Sequence, residues 1–234
     1  MKEDISEKSK KWVKENKKKL VETFVVDDEY YKSDKPFTIF MAGSPGAGKT
    51  EFSKGFIEEA KKLSPISRIT RIDADEIKEI IPGYNGSNSD LFQGASSLGV
   101  EKLYDYVLKK NISAIVDGTL ANYEVGYKNI SRSIARGRKT GIFYIYQDPL
   151  IAWKFTKARE ELEGRHIPKE AFINSLFSAK DSVNKLKKTF GKKLDIFLII
   201  KDYNHNIQKT HFKIDRIDSH LKIKYTKESL SKKL

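Results

Sequence analysis

One run of eight residues carries the densest chemistry in the chain: Gly43-Ser44-Pro45-Gly46-Ala47-Gly48-Lys49-Thr50. It fits the pattern G-x-x-x-x-G-K-[ST] throughout. Glycines in such a loop let successive backbone N–H groups turn onto an anion. A helix that starts at the loop adds the positive end of its dipole. A lysine at position 49 reaches the β- and γ-phosphates of a nucleoside triphosphate. A hydroxyl at Thr50 can hold Mg²⁺, which keeps most of its waters. The run therefore reads as a site for a nucleoside triphosphate and Mg²⁺.

What happens to the phosphate depends on other residues. An Asn-Lys-x-Asp guanine reader is absent, and so is an ABC-type signature. The apolar run NISAIVDG ends in Asp117-Gly118, not in the Asp-Glu pair of many motor ATPases. Small-molecule kinases fit better. Their chemistry asks for a base on the acceptor hydroxyl and cations on the moving phosphoryl group. RIDADEI offers Asp73 and Asp75 as carboxylates, and Asp75 is the candidate base. Its plain alternative is an N-cap for EIKEII. KAREELEGRHIPKE offers Arg159 and Arg165 as cations; alone, they read as solvated charges.

These residues need elements to position them. PFTIFMAG, SRITRID, NISAIVDG, TGIFYIYQ and LDIFLIIKD are short apolar runs suited to buried parallel strands. Between them, apolar residues recur at helical spacing: Phe52, Phe56, Ala60 and Leu63, with a stop at Ser64-Pro65; then Val100, Leu103, Tyr104 and Val107; then Tyr127, Ile130 and Ile134. Asp148-Pro149 supplies an N-cap and a first-turn proline. Pro168 opens a long helix that Gly191 closes. Alternating strands and helices predict an α/β, P-loop kinase-like fold: a central, mostly parallel sheet of about five strands with helices on both faces. HFKIDRI and HLKIKY are expected to form a C-terminal antiparallel pair. The expected organisation is a single domain over 1–234. It has a polar helical lead-in over 1–35 with Trp12, Leu20 and Phe24 as its stripe, broken by DDEYYKSDKP. The kinase core spans 37–200, and strands and a tail fill 201–234. Tyr203-Asn204-His205-Asn206 reads as a turn.

Composition sets the bounds. The chain has 234 residues and no cysteine, which excludes disulfides and thiolate metal sites. The four histidines show no metal-ligand spacing. No run is long and apolar enough to span a membrane. The start has neither a secretory core nor the arginines of a mitochondrial presequence, so a cytoplasmic location is expected. Net charge is +13. The excess is lysine spread along the chain, which argues for a basic surface over a nucleic-acid site.

In order, GSPGAGKT, IDADEIK, VDGT and AREELEGRHIPK resemble the zeta toxins, P-loop kinases of bacterial toxin–antitoxin systems. The resemblance covers about residues 37 to 200. It implies transfer of the ATP γ-phosphoryl to the 3′-hydroxyl of UDP-N-acetylglucosamine, and an antitoxin protein as partner. It implies Asp75 as the base and Lys49 and Thr50 on ATP and Mg²⁺. Arg159 and Arg165 would face the transferred phosphoryl group, and Glu101, Asp117 and Thr119 the acceptor. One departure stands out. VDGTLANYE places Ala121 where the family typically has an arginine for the acceptor, and Asp117 stands where glutamate is common. Kinases of other acceptors, such as a nucleoside, a nucleic-acid end or an antibiotic, therefore stay open. So does a basic nucleotide-binding protein that interacts with RNA.

Overall fold

The computed structural model describes residues 2–25, 35–63, 68–202 and 207–234. Most of the DDEYYKSDKP break, the stop at Ser64-Pro65 and the turn at 203–206 lie outside the described residues.

A six-stranded sheet forms the centre. Its strands are β1 (Phe37–Ala42), β2 (Ile69–Asp73), β3 (Ser113–Asp117), β4 (Lys139–Tyr146), β5 (Asp195–Lys201) and β6 (Ile207–His211), in the order β2-β3-β1-β4-β5-β6. The first five are parallel, and β6 runs antiparallel to β5. Successive side chains point to opposite faces, and the apolar strands use both. Ile39, Met41, Phe143 and Ile145 face α3 (Lys49–Leu63), where Phe52, Phe56 and Ile57 meet them. Phe40, Ala42, Ile142 and Tyr144 face the opposite way. There they join a larger core with α5 (Gln93–Lys109), α6 (Tyr123–Ala135) and α8 (Lys169–Phe190). A fully buried Ile, Phe or Met side chain contributes about 1.5–3 kcal/mol relative to exposure.

The lead-in is two helices, α1 (Lys2–Glu15) and α2 (Lys17–Phe24), where one was expected. The break falls at Asn16, whose side-chain amide donates to the Trp12 carbonyl at 2.9 Å. Val13 and Leu20 are fully buried, while Trp12 and Phe24 pack at the margin. Both helices rest on α5.

The C-terminal antiparallel pair is present, but its strands are β5 and β6. HFKIDRI and HLKIKY do not pair. Only His211 of the two lies in a strand, and a 3-10 turn (Ile217–Ser219) sits between them. The Ile214 N–H donates to the Ile196 carbonyl of β5 at 3.0 Å, and side chains of α8 satisfy the residues after it. Asn184 Oδ1 accepts from the Ile217 N–H at 2.8 Å, while Asn184 Nδ2 and Lys180 donate to Asp218. Ile214, Ile217 and Leu221 are then buried in the core. A final helix, α9 (Lys227–Lys233), follows a Thr226–Ser229 capping box.

Candidate functional site

Four strands deliver chemistry to their carboxyl ends, which form one edge of the sheet. After β1 comes the glycine-rich loop, with Gly43, Gly46 and Gly48 at positive φ. At Gly46 no side chain fits, because a Cβ would collide with the Ala152 carbonyl of α7 (Pro149–Glu163). The loop opens directly into α3, whose first residues are Lys49 and Thr50. Lys49 Nζ donates to the Ser44 carbonyl at 2.7 Å and so arches over the loop. Burial pushes its ammonium down to about 8; Asp117 opposes that and Arg159 reinforces it. Gly43, Ser44 and Ala47 are buried, Gly43 donating to the Thr119 carbonyl at 3.2 Å.

Asp73 and Asp117 end β2 and β3 and are register partners. Two carboxylates side by side repel each other, and Arg71 resolves this. It shares a face of β2 with Asp73, two residues on. Its Nη2 bonds Asp73 and lies 2.6 Å from Asp117 Oδ2, while Nε donates to Ser53 Oγ of α3 at 2.9 Å. Nη1 lies 2.6 Å from Glu76 as an ion pair, without hydrogen-bond alignment. Burial, and then Asp117, still hold the Asp73 carboxyl above its usual range.

Asp73 is also the N-cap of α4 (Ala74–Glu79), accepting from the Asp75 N–H at 2.8 Å. The capping role weighed for Asp75 thus belongs to its neighbour, and the Asp75 carboxylate points elsewhere. Arg165 Nη1 bonds its Oδ2 directly. Lys78 Nζ lies 3.4 Å from its Oδ1. Burial raises the Asp75 pKa, but Arg165 and Lys78 together outweigh it, so the net shift is downward. Lys78 is itself buried, donating to Ser89 at 2.9 Å and Gln93 at 3.0 Å.

The remaining cations come from α7. Asp148 caps it, accepting from the Leu150 N–H at 2.9 Å, with Pro149 in the first turn as expected. It ends at Gly164 in the left-handed conformation. Arg159 lies on its last turns, paired with Glu163 at 3.0 and 3.2 Å. Arg165 follows the end.

These parts surround one cleft of about 560 Å³. Of the residues expected at the site, it is lined by Pro45, Gly46, Gly48, Lys49 and Thr50, and by Asp75, Asp117, Thr119, Arg159 and Arg165. Glu101 is not among them. It sits on the outer face of α5, paired with Lys128 of α6 at 2.8 Å. Arg132, the next cation along α6, bonds Asp105 of α5. Ala121 lines a separate dent with Asn174, Ser175 and Ser178 of α8. Sequence reasoning passed over Arg71, Lys78 and Lys201. Each left a signal: an arginine two residues from an acid in an apolar strand, a lysine one helical turn after Asp75, and a lysine closing an apolar strand.

The cradle fits a triphosphate: inward-turning glycines, a helix N-terminus and Lys49 share one wall. Among the described residues no group of three or more histidines and acids is placed to hold a metal ion. Mg²⁺ keeps several of its waters and asks for few protein ligands beside phosphate oxygens, and the Thr50 hydroxyl and the Asp73 and Asp117 carboxylates line the same cleft. The zeta toxin family model matches residues 22–212. The chain belongs to the zeta toxin family. Solved structures agree on the fold. The PezAT chromosomal toxin–antitoxin system of Streptococcus pneumoniae matches this zeta toxin chain with a TM-score of 0.67 at 18% identity, over 94% of this chain and 86% of the other. The AvrRxo1-ORF1:-ORF2 complex matches with a TM-score of 0.65 at 15% identity, over 91% and 71%. The form of that complex with ATP matches with a TM-score of 0.61 at 14% identity, over 86% and 65%. No curated protein sequence matches this zeta toxin. No helix among its described residues is long and apolar enough to cross a membrane.

Proposed function

We propose that this zeta toxin is a kinase that moves the γ-phosphoryl group of ATP to a sugar hydroxyl, the 3′-hydroxyl of UDP-N-acetylglucosamine being the leading acceptor. One observation carries the reading: the Asp75 carboxylate and the Arg165 guanidinium meet inside the cleft that holds Lys49 and Thr50. The loop N–H groups and Lys49 hold the β- and γ-phosphates. Mg²⁺ on Thr50 would neutralise charge on the same oxygens. Asp75 accepts the acceptor hydroxyl hydrogen bond and aims its oxygen at the γ-phosphorus. Its lowered pKa keeps it ionised, which suits orientation first and proton acceptance late in transfer. Arg165 then exchanges part of its contact with Asp75 for the phosphoryl oxygens, and Arg159 approaches from α7. Catalysis here is positioning and charge stabilisation. Asp117 and Thr119 lie on the acceptor side. By analogy with the toxin–antitoxin relative, the partner is an antitoxin protein, and the setting is the cytoplasm.

A second reading keeps the kinase and changes the acceptor. Ala121 brings no cation, and Glu101 lies outside the cleft, so a hydroxyl compound without a diphosphate fits as well. The experiment is a panel of UDP-sugars, nucleosides and oligonucleotides incubated with ATP and the protein. Phosphate added to a UDP-sugar, read by mass spectrometry, supports the first reading. Phosphate on another compound alone selects the second, and none on any acceptor removes both.

A further inference from the structure

Lys201 closes β5 and is 7% exposed, yet among the described residues no carboxylate lies within ion-pair distance and no hydrogen bond engages its ammonium. Its head lines the same cleft as the glycine-rich loop. It presses on the loop itself: a Cβ at Gly48 would collide with Nζ, and Gly48 holds a φ of +80° beneath it. An ammonium on this largely buried side chain, beside the N-terminus of α3, is unfavourable on two counts. It has lost part of its water, and it faces the positive end of a helix dipole. Lys49 adds a further positive charge to the same wall. Burial lowers the Lys201 pKa, with Glu51 and Asp202 as partial compensation. Such a cluster of positive groups calls for an anion.

The sheet order says which part of the anion. The strands carrying Asp73 and Asp117 lie on one side of β1, while β5 lies on the other side, beyond β4. Asp75 and Arg165 belong to the Asp73 side through α4. The γ-phosphate must face them, so the rest of the nucleotide leaves the loop toward β4 and β5. We propose that Lys201 binds the α-phosphate of the nucleotide, a contact that governs affinity for ATP and ADP alike. The inference rests on the kinase reading above and assigns it a fourth phosphate-binding cation, from the opposite side of the sheet to the base.

The test is Lys201→Met, which keeps the apolar stem and removes the charge. Titration calorimetry with ATP and with ADP, both with Mg²⁺, compares it with wild type. A lost charged hydrogen bond should weaken both nucleotides roughly 10-fold and about equally. Without nucleotide, the variant should melt at or above the wild-type temperature, because a partly dehydrated and only partly compensated charge is gone. Unchanged affinities overturn the inference. So does a loss confined to ATP, which would put Lys201 on the γ-phosphate, and so does a variant that melts lower or does not fold. If wild type binds neither nucleotide, the kinase reading falls and this one with it. Wild-type binding with an insensitive variant sinks this one alone.

Discussion

The guanidinium of Arg165 rests on the carboxylate of Asp75, a residue 90 positions earlier in the chain. One lies beyond the end of α7 and the other in the first turn of α4, so the contact exists only in the assembled fold. It joins the candidate base to a candidate phosphoryl-stabilising cation before any substrate arrives. The pairing separates the roles of neighbouring residues and makes them testable.

Asp75→Asn should keep ATP binding and lose turnover by about 10²–10⁴-fold, the range for a positioned acid or base. Asp73→Asn should behave differently, because Asp73 caps α4 and sits on Arg71. Its cost should appear in the melting temperature first. Steady-state kinetics beside thermal melts of both variants decide the matter. Full turnover by Asp75→Asn would show that the wrong acid has been chosen.

The two arginines should not be equivalent. Arg165→Ala removes a group already inside the cleft and should lower kcat by roughly 10³-fold or more, the ~10³–10⁵ range of arginine fingers. Arg159 lines the same cleft but is held by Glu163. Arg159→Ala should cost less unless the arginine leaves Glu163 for the phosphoryl group during turnover. Equal losses in kcat at saturating ATP would show that it does.

Nucleotide affinity should fall in alkaline solution. Burial holds the Lys49 ammonium near a pKa of about 8 in the free protein. A bound triphosphate favours the protonated form and raises that value, so binding above pH 8 takes up a proton. Affinity should be nearly flat below pH 8 and roughly tenfold weaker at pH 9. Calorimetry at pH 7.5 and pH 9, at matched ionic strength, reads this directly. Equal affinities would place the Lys49 pKa in the ordinary range.

Arg71→Met should destabilise the fold by about 3–5 kcal/mol, the cost of breaking a buried ion pair from one side. It leaves Asp73 and Asp117 adjacent and uncompensated. The Asp73 carboxyl is already raised by burial and by Asp117, so it titrates higher still in the variant. Acids with a raised folded pKa destabilise above that pKa and cease to do so as pH falls through it. Urea denaturation should therefore find the deficit smaller at pH 5 than at pH 8. A deficit independent of pH would mean that packing, not charge, is what Arg71 provides.

Much of this was legible from the chain alone. The loop from Gly43 to Thr50, the five parallel strands and the Asp148-Pro149 start all follow local rules that act within a few residues. What could not be read was pairing at a distance. Lys128 and Arg132 were the nearest cations in sequence to the gap at Ala121, but α5 engages both, through Glu101 and Asp105. The 211–225 segment had the alternation of strands, yet Asn184 and Lys180 of α8 took its polar groups. Lys201 looked like a strand end, and only the assembled sheet puts it against Gly48.

The acceptor side yields one more expectation. Because Lys128 and Arg132 are committed elsewhere, alanine at either should leave acceptor KM within about twofold. Ala121→Arg should tighten a diphosphate-bearing acceptor by up to roughly 10–100-fold, at ~1.4 kcal/mol per decade. Acceptor titrations at saturating ATP measure both. No gain on any UDP-sugar, with turnover of another hydroxyl compound, would move the assignment to that compound.

The crowding at Gly46 has a mechanical side. The loop packs against the Ala152 carbonyl, and a Cβ at Gly46 would also meet Thr156, so a side chain there would force the loop and the front half of α7 apart. Gly164 ends the same helix in a left-handed conformation that few residues tolerate, and Arg165 is the next residue. One helix thus touches the loop at its front and sets the direction of a candidate catalytic cation at its end, so a substitution at either glycine should disturb the geometry between the two.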